Sequence, residues 1–163
     1  MTSFILFIII WNNKCNIILT KRKGGFKMSE KRFVNTEEVE TQIFPWGRLE
    51  WLSEPRVTGT DNMTAGVVTL EVGKGHESHN HEGIEEILYV LEGEGQQKIE
   101  LDDEVVEKTV KKGDLINIPA GAFHETMNTG DKAMKIFAVY QYPGPEQELR
   151  SLPECEIEPP SVK

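Results

Sequence analysis

The sequence predicts an all-β protein, and three observations carry that expectation. Thr64 to Val72 is rich in β-branched and apolar residues and reads as a buried strand. Between Glu86 and Asp114, turn signals at Glu92-Gly93-Glu94-Gly95, Asp102-Asp103-Glu104 and Lys111-Lys112-Gly113-Asp114 separate short strand-like runs. Three closely spaced hairpins of this kind make an antiparallel meander, half of a jelly roll. No stretch reads as a helix of consequence, and there is no internal repeat or low-complexity segment.

The chain divides at 1–27, 28–63, 64–142 and 143–163. Phe4 to Trp11 is strongly apolar, but it is too short to span a bilayer and lacks the basic residues that precede a signal-peptide core. Lys23-Gly24-Gly25-Phe26-Lys27-Met28 is the peptide that a bacterial ribosome-binding site, a short spacer and a start codon would encode in frame. Residues 1–27 are therefore expected to be an upstream-translated or disordered extension, with native translation starting at Met28. Residues 28–63 read as an N-terminal arm and edge strand. Ile43 to Leu52 is aromatic-rich and alternates from Trp46 onward, while Pro45 and Gly47 suit an edge or bent strand. Arg48 and Glu50 share one face, Leu49 and Trp51 the other. Either the tryptophans cover a barrel mouth or a dimer contact, or Arg48 reaches the pocket and pairs with an acidic ligand. Ser53 to Asn62 is a loop, with Pro55, Gly59 and Asp61-Asn62 as turn residues.

Gly73 to Asn128 holds all four histidines. Residues two apart on a strand share a face, so His79 and His81 direct their imidazoles at one point. Glu86 lies at an odd offset from His81, so Glu82-Gly83-Ile84 must bend the chain and reset the alternation. His124 follows the turn signal Pro119-Ala120-Gly121, which ends the apolar run Leu115 to Ile118. Three histidines and a carboxylate make a plausible N/N/N/O set for a divalent transition ion. His76, three residues before His79, falls on the opposite strand face. It reads as a rim or surface residue, with Gly75 offering an inward turn as an acid or base. Thr126 and Asn128 share parity with His124 and either line the pocket or support the turn. Of Gln96 and Lys98 against Gln97, one set must look inward.

These residues stand in two recognisable patterns. Gly73, His79, His81, Glu86 and Gly93 fit G-x5-H-x-H-x(3,4)-E-x6-G, and Gly113, Pro119, Gly121, His124 and Asn128 fit G-x5-P-x-G-x2-H-x3-N. Both resemble the two motifs of the cupin superfamily, in the right order and without a departure at these positions. The short spacing between them is similar to compact single-domain microbial members. The resemblance covers Thr64 to Tyr142. It implies a cupin jelly-roll β-barrel with extended N- and C-terminal arms, in which His79, His81, Glu86 and His124 bind a metal. Iron or manganese is favoured; zinc, nickel and copper are also admitted. Six-coordination by four protein ligands would leave two positions for substrate, water or dioxygen.

Beyond Glu86 both strand faces are apolar, Leu88 and Val90 on the ligand side, Ile87, Tyr89 and Leu91 on the other. The outer face should then be covered, by the terminal arms or by a second subunit, and family precedent points to a homodimer. Met134 to Tyr142 closes the barrel. After Pro143-Gly144-Pro145 the chain turns acidic and proline-rich, an extended surface arm with Leu149 and Leu152 as anchors.

A formal net charge of −9 and the lack of a basic cluster argue against a nucleic-acid partner, and nothing calls for a membrane. The two cysteines, Cys15 and Cys155, read as free thiols in a reducing, cytoplasmic compartment. Similar cupins include dioxygenases, decarboxylases, lyases, isomerases and epimerases, and fold does not choose among them. The expectation is a metalloenzyme acting on a small polar substrate, with no catalytic residue assigned; Glu77, Glu82 and His76 are candidate bases without geometry. The rival is a non-catalytic module that binds or senses a sugar or small organic acid. A seed-storage type needs duplicated barrels and does not fit the length.

Overall fold

The computed structural model describes residues 10–11, 14–15 and 31–162. The expectation for residues 1–27 falls outside them, apart from a ladder between β1 (Ile10–Trp11) and β2 (Lys14–Cys15). A 3-10 turn at Thr36–Glu38, capped by the Asn35 side chain, leads into β3 (Thr41–Phe44), β4 (Gly47–Ser53) and β5 (Thr64–Leu70). There follow β6 (Gly75–His79), β7 (Glu86–Glu92), β8 (Glu94–Glu100) and β9 (Val105–Lys111). The chain continues through β10 (Leu115–Ile118), β11 (Phe123–Asn128), β12 (Met134–Tyr140), α1 (Pro145–Arg150) and β13 (Glu156–Glu158).

Two antiparallel sheets face each other, a seven-stranded one in the order β10-β7-β12-β5-β4-β3-β13 and a four-stranded one in the order β6-β11-β8-β9. This is the predicted all-β jelly roll, but its hairpins are not the expected three. Of the three, only the turn between β8 and β9 makes a hairpin. β7 and β8 lie in different sheets, as do β9 and β10. The two glycine turns are corners: Gly93 (φ 82°) and Gly113 (φ 97°) adopt the left-handed conformation that lets a strand turn out of one sheet into the other. Hydrogen bonds from Lys112 N to Gly93 O and from Gly113 N to Val90 O tie the corners together. One long hairpin, β7-β8 against β9-β10, is thus folded across both sheets. β5-β6 against β11-β12 is a second, closed at its corner by mutual bonds between residues 73–74 and Asn128.

The space between the sheets is filled by one parity of each strand. Leu49, Trp51, Leu70, Val90, Ile118, Met134, Ile136 and Ala138 are all essentially inaccessible. Burial of each large side chain among them contributes about 2 kcal/mol. Arg48 occupies the other parity of β4 and pairs with Glu50 at 3.3 Å on the outside, so it does not reach the pocket. Trp51 is core and Trp46 stands at the mouth, stacked on Phe44 at 4.7 Å between centroids.

Of the two covers expected for the outer face of the larger sheet, the terminal arms do not supply one. A cross-strand row runs Leu115–Tyr89–Phe137–Val67, with Ile87 beside it. Leu115 is 62%, Tyr89 41% and Ile87 39% exposed, because the C-terminal arm goes elsewhere. Instead of an extended strap, residues 145–150 form a helical turn with Pro145 at its first position, where the missing N–H costs nothing. Leu149 is buried against the barrel mouth, and β13 then adds to β3 at the far edge of the larger sheet.

A polar clamp holds this cap. Arg150 Nε lies 2.7 Å from Glu40 and its Nη2 3.1 Å from the buried Glu54, while Arg56 pairs with Glu40 in a two-pronged contact. Gln42 Nε2 donates to the Glu146 carbonyl. Arg150→Ala should therefore cost roughly 2 kcal/mol in urea denaturation, because it strands the Glu54 carboxylate. Amide exchange over residues 145–152 should quicken more than in β12; uniform protection would show that the clamp does not hold the cap.

Candidate metal centre

β6 and β11 pair so that His79 stands directly opposite His124. β6 ends at His79, and His81 lies just beyond it, in a turn closed by Ile84 N and Gly121 N donating to the His81 carbonyl. Gly83 takes φ 69° in that turn. The predicted reset of alternation is in fact a change of sheet: Glu86 opens β7 in the opposite wall and faces the histidines across the barrel. One nitrogen from each of His79, His81 and His124 lies within 4.8 Å of the others. Glu86 Oε2 is 3.0 Å from His124 Nε2 and 3.6 Å from His81 Nε2.

Backbone carbonyls orient two of the rings. Paired with Glu77 O at 2.8 Å and Ala122 O at 3.0 Å, Nδ1 of His79 and of His124 carries a proton, so that in the neutral ring Nε2 is the lone pair. Buried His81 Nε2 and Glu86 Oε2 have no hydrogen-bond partner. Lone pairs converging at such distances, out of water, need a proton or a cation between them. The donor set, three imidazoles and one carboxylate, suits a transition ion.

Protonation follows the same logic. Burial pushes His81 down to about 4 against the pull of Glu86, and burial with the charge of His124 lowers His79. His124 goes the other way: burial opposes its charged form, but contact with Glu86 outweighs this and raises its pKa.

Two residues near the centre were not foreseen in these roles. Tyr140 lies beside Glu86 in the β12–β7 register and sets its ring edge-on to His81 at 5.2 Å. Burial and Glu86 hold its hydroxyl well above the ordinary phenol range, so it stays a donor. Its signal was parity, since it is the polar-tipped member of the inward set Met134, Ile136, Ala138, Tyr140. His76 is not the rim residue that strand parity suggests. The β6–β11 ladder shifts register between His124 and Thr126, and the His76 ring packs 4.0 Å from His79 and 5.0 Å from Trp46. Burial and the neighbouring rings push it down to about 3.

The remaining candidates separate cleanly. Thr126 lines the innermost cavity and donates to Gln97 at 2.6 Å, so Gln97 is the inward residue, not Gln96 or Lys98. Asn128 supports the corner, donating to Leu70 O and Lys132 O and accepting from Gly130 N. Glu77 and Glu82 are exposed and line neither inner cavity. Cys155 is a free thiol. No described helix is long and apolar enough to cross a membrane.

Residues 66–140 match the family model described as Cupin domain, and this stretch of the chain belongs to the cupin superfamily. The chain is 43% identical over 85 residues to an uncharacterised protein of Methanocaldococcus jannaschii, covering 52% of this chain and 65% of that one. It is 39% identical over 120 residues to acireductone dioxygenase 1 of Vitis vinifera, covering 69% and 59%. The crystal structure of a predicted oxalate decarboxylase from Thermotoga maritima superposes with a TM-score of 0.56 at 26% identity, covering 68% of this chain and 98% of that one. The chain spans between 34% and 65% of the length of the curated relatives it matches.

The depressed pKa values of His76 and His81 bear on the metal-free protein. Below pH 6.5 the unfolded chain takes up protons that these folded, neutral rings refuse. Their stability contribution is whole above pH 6.5 and is lost as pH falls toward about 4 for His81 and about 3 for His76. The urea midpoint should drop across that window, and less steeply in His76→Phe, which keeps a ring against Trp46 but cannot titrate. An equal slope in the variant would contradict the buried, neutral state of His76.

Proposed function

We propose that this chain is a metal-dependent enzyme acting on a small polar molecule, with His79, His81, Glu86 and His124 holding a divalent transition ion, iron or manganese first. The observation that carries the reading is the convergence of two unpartnered buried acceptors, His81 Nε2 and Glu86 Oε2, with two imidazoles oriented by backbone carbonyls. Bound there, such an ion supplies Lewis-acid stabilisation of the charge that develops on a carboxylate or enediol oxygen. The protein's own part is orientation and exclusion of water. The carbonyls of Glu77 and Ala122 fix ring orientation, and Tyr140 stands beside Glu86. Val68, Leu88 and Ile136 close the inner end of the cavity.

Relatives named acireductone dioxygenase and a neighbour named as a predicted oxalate decarboxylase support a reaction of the dioxygenase, decarboxylase, lyase or isomerase type. Protein purified without a metal-affinity tag should contain near-stoichiometric metal, and His81→Ala should lower its affinity at least about ten-fold. Full retention by the variant would remove His81 from the ligand set. Dioxygen uptake with small diketone, thiol or phenol substrates identifies an oxygenase. Metal without turnover of any substrate class would instead favour a module that binds a sugar or organic acid.

The uncovered row of Leu115, Tyr89 and Ile87 supports a homodimer joined through the larger sheet. Light scattering should then give twice the chain mass, and Tyr89→Lys should shift it to the monomer; a monomeric wild type would refute the contact.

A further inference from the structure

The C-terminal cap does more than close the barrel; Pro145, Glu148, Leu149 and Leu152 supply one wall of a cavity that opens onto the histidines. That cavity, of about 180 Å³, is lined on the barrel side by His76, His79 and His81 and on the cap side by Glu148, Leu149 and Leu152. Behind it the innermost cavity, about 30 Å³, reaches Glu86 and His124. Neither is lined by a lysine or arginine among the described residues. Arg150, on the same helix, is committed to Glu40 and Glu54, and Arg48 to Glu50 outside the barrel. Glu148 alone brings a full charge to the cap side, and its carboxylate forms no hydrogen bond or ion pair with another described residue.

The charge balance follows. A divalent ion with one carboxylate and three neutral imidazoles leaves a single positive charge, which one anionic oxygen donor of a substrate neutralises. A second carboxylate would find no cation in either cavity and would face the Glu148 carboxylate, a like charge that repels it. An ammonium or hydroxyl there would find an acceptor. The cavity between cap and histidines lies below the volume of pockets for drug-sized ligands, so the part of a substrate held there is small.

Resting on the metal-centre reading above, we infer that Glu148 is the specificity-determining residue of the site. It selects small chelating substrates whose far end is neutral or cationic and rejects dianionic dicarboxylates such as oxalate.

The test uses the manganese-loaded full chain and three monohydroxamates whose two-carbon tails end in an ammonium, a methyl or a carboxylate, titrated calorimetrically. The ammonium probe should bind most tightly and the carboxylate probe most weakly, with about five-fold between successive probes, the range of a solvent-accessible charge contact. Glu148→Gln should collapse that spread while leaving the methyl probe unchanged, and Glu148→Lys should invert it. Glu148 is exposed, so both variants should fold. Metal content is measured on the same samples. A metal-loaded protein with no charge order, or one whose order survives Glu148→Gln, overturns this inference alone; a protein that holds no manganese overturns it together with the metal-centre reading.

Discussion

The structure turns on four acceptors brought to one point inside a barrel that excludes water. Each is a lone pair on a group that would be hydrated in the unfolded chain, and their mutual approach is unfavourable unless a positive charge lies between them. Packing must hold them there against that repulsion. The rings are therefore not left to find their orientation: two are tied to carbonyls two residues away, and Glu86 stands opposite Tyr140 in the strand register. What looks like a local cluster is a demand on the whole barrel, since the imidazoles come from one wall and the carboxylate from the other.

The folded hairpins meet that demand. A flat meander would put every strand in one sheet and leave Glu86 on the same wall as the histidines. Bending at Gly93 and Gly113 sends β8 and β9 across to the second sheet, while β7 and β10 stay in the first. A second long hairpin bends at residues 71–74 and 129–133, with Asn128 bonding across its corner. The jelly roll is thus the arrangement in which Glu86 can face His79 and His124 while the alternation of each strand stays intact. Apolar residues of the same parity fill the space behind them and keep it dry.

The cap links this interior to chemistry. A helical turn of six residues has little stability of its own, so its position is decided by Leu149 against the core and by Arg150 between Glu40 and Glu54. Those carboxylates are presented by the strand edges and loop of the N-terminal arm. Sequence ends far apart in the chain therefore cooperate to shape the mouth of the site. The opposite, outer face of the larger sheet is left bare by the same choice, because the arm that might have covered it is used at the mouth.

Much of this was legible in the residues. Glycine, proline and histidine spacing named the ligand candidates, and period-two patterning separated Leu49 and Trp51 from Arg48 and Glu50, because both depend only on local backbone geometry. What spacing could not decide was which wall each segment joins. Turns at Gly93 and Gly113 look like hairpins in sequence and become corners because β7 pairs with β10 and β12 in one sheet while β8 and β9 pair in the other. His76 was misplaced because a register shift against β11 broke the parity that argued for the rim. Tyr140, Glu148 and the Arg150 clamp belong to the tertiary structure alone. Each acts on groups dozens of residues away, and no periodicity in a single chain records which distant side chain a charge or hydroxyl will meet.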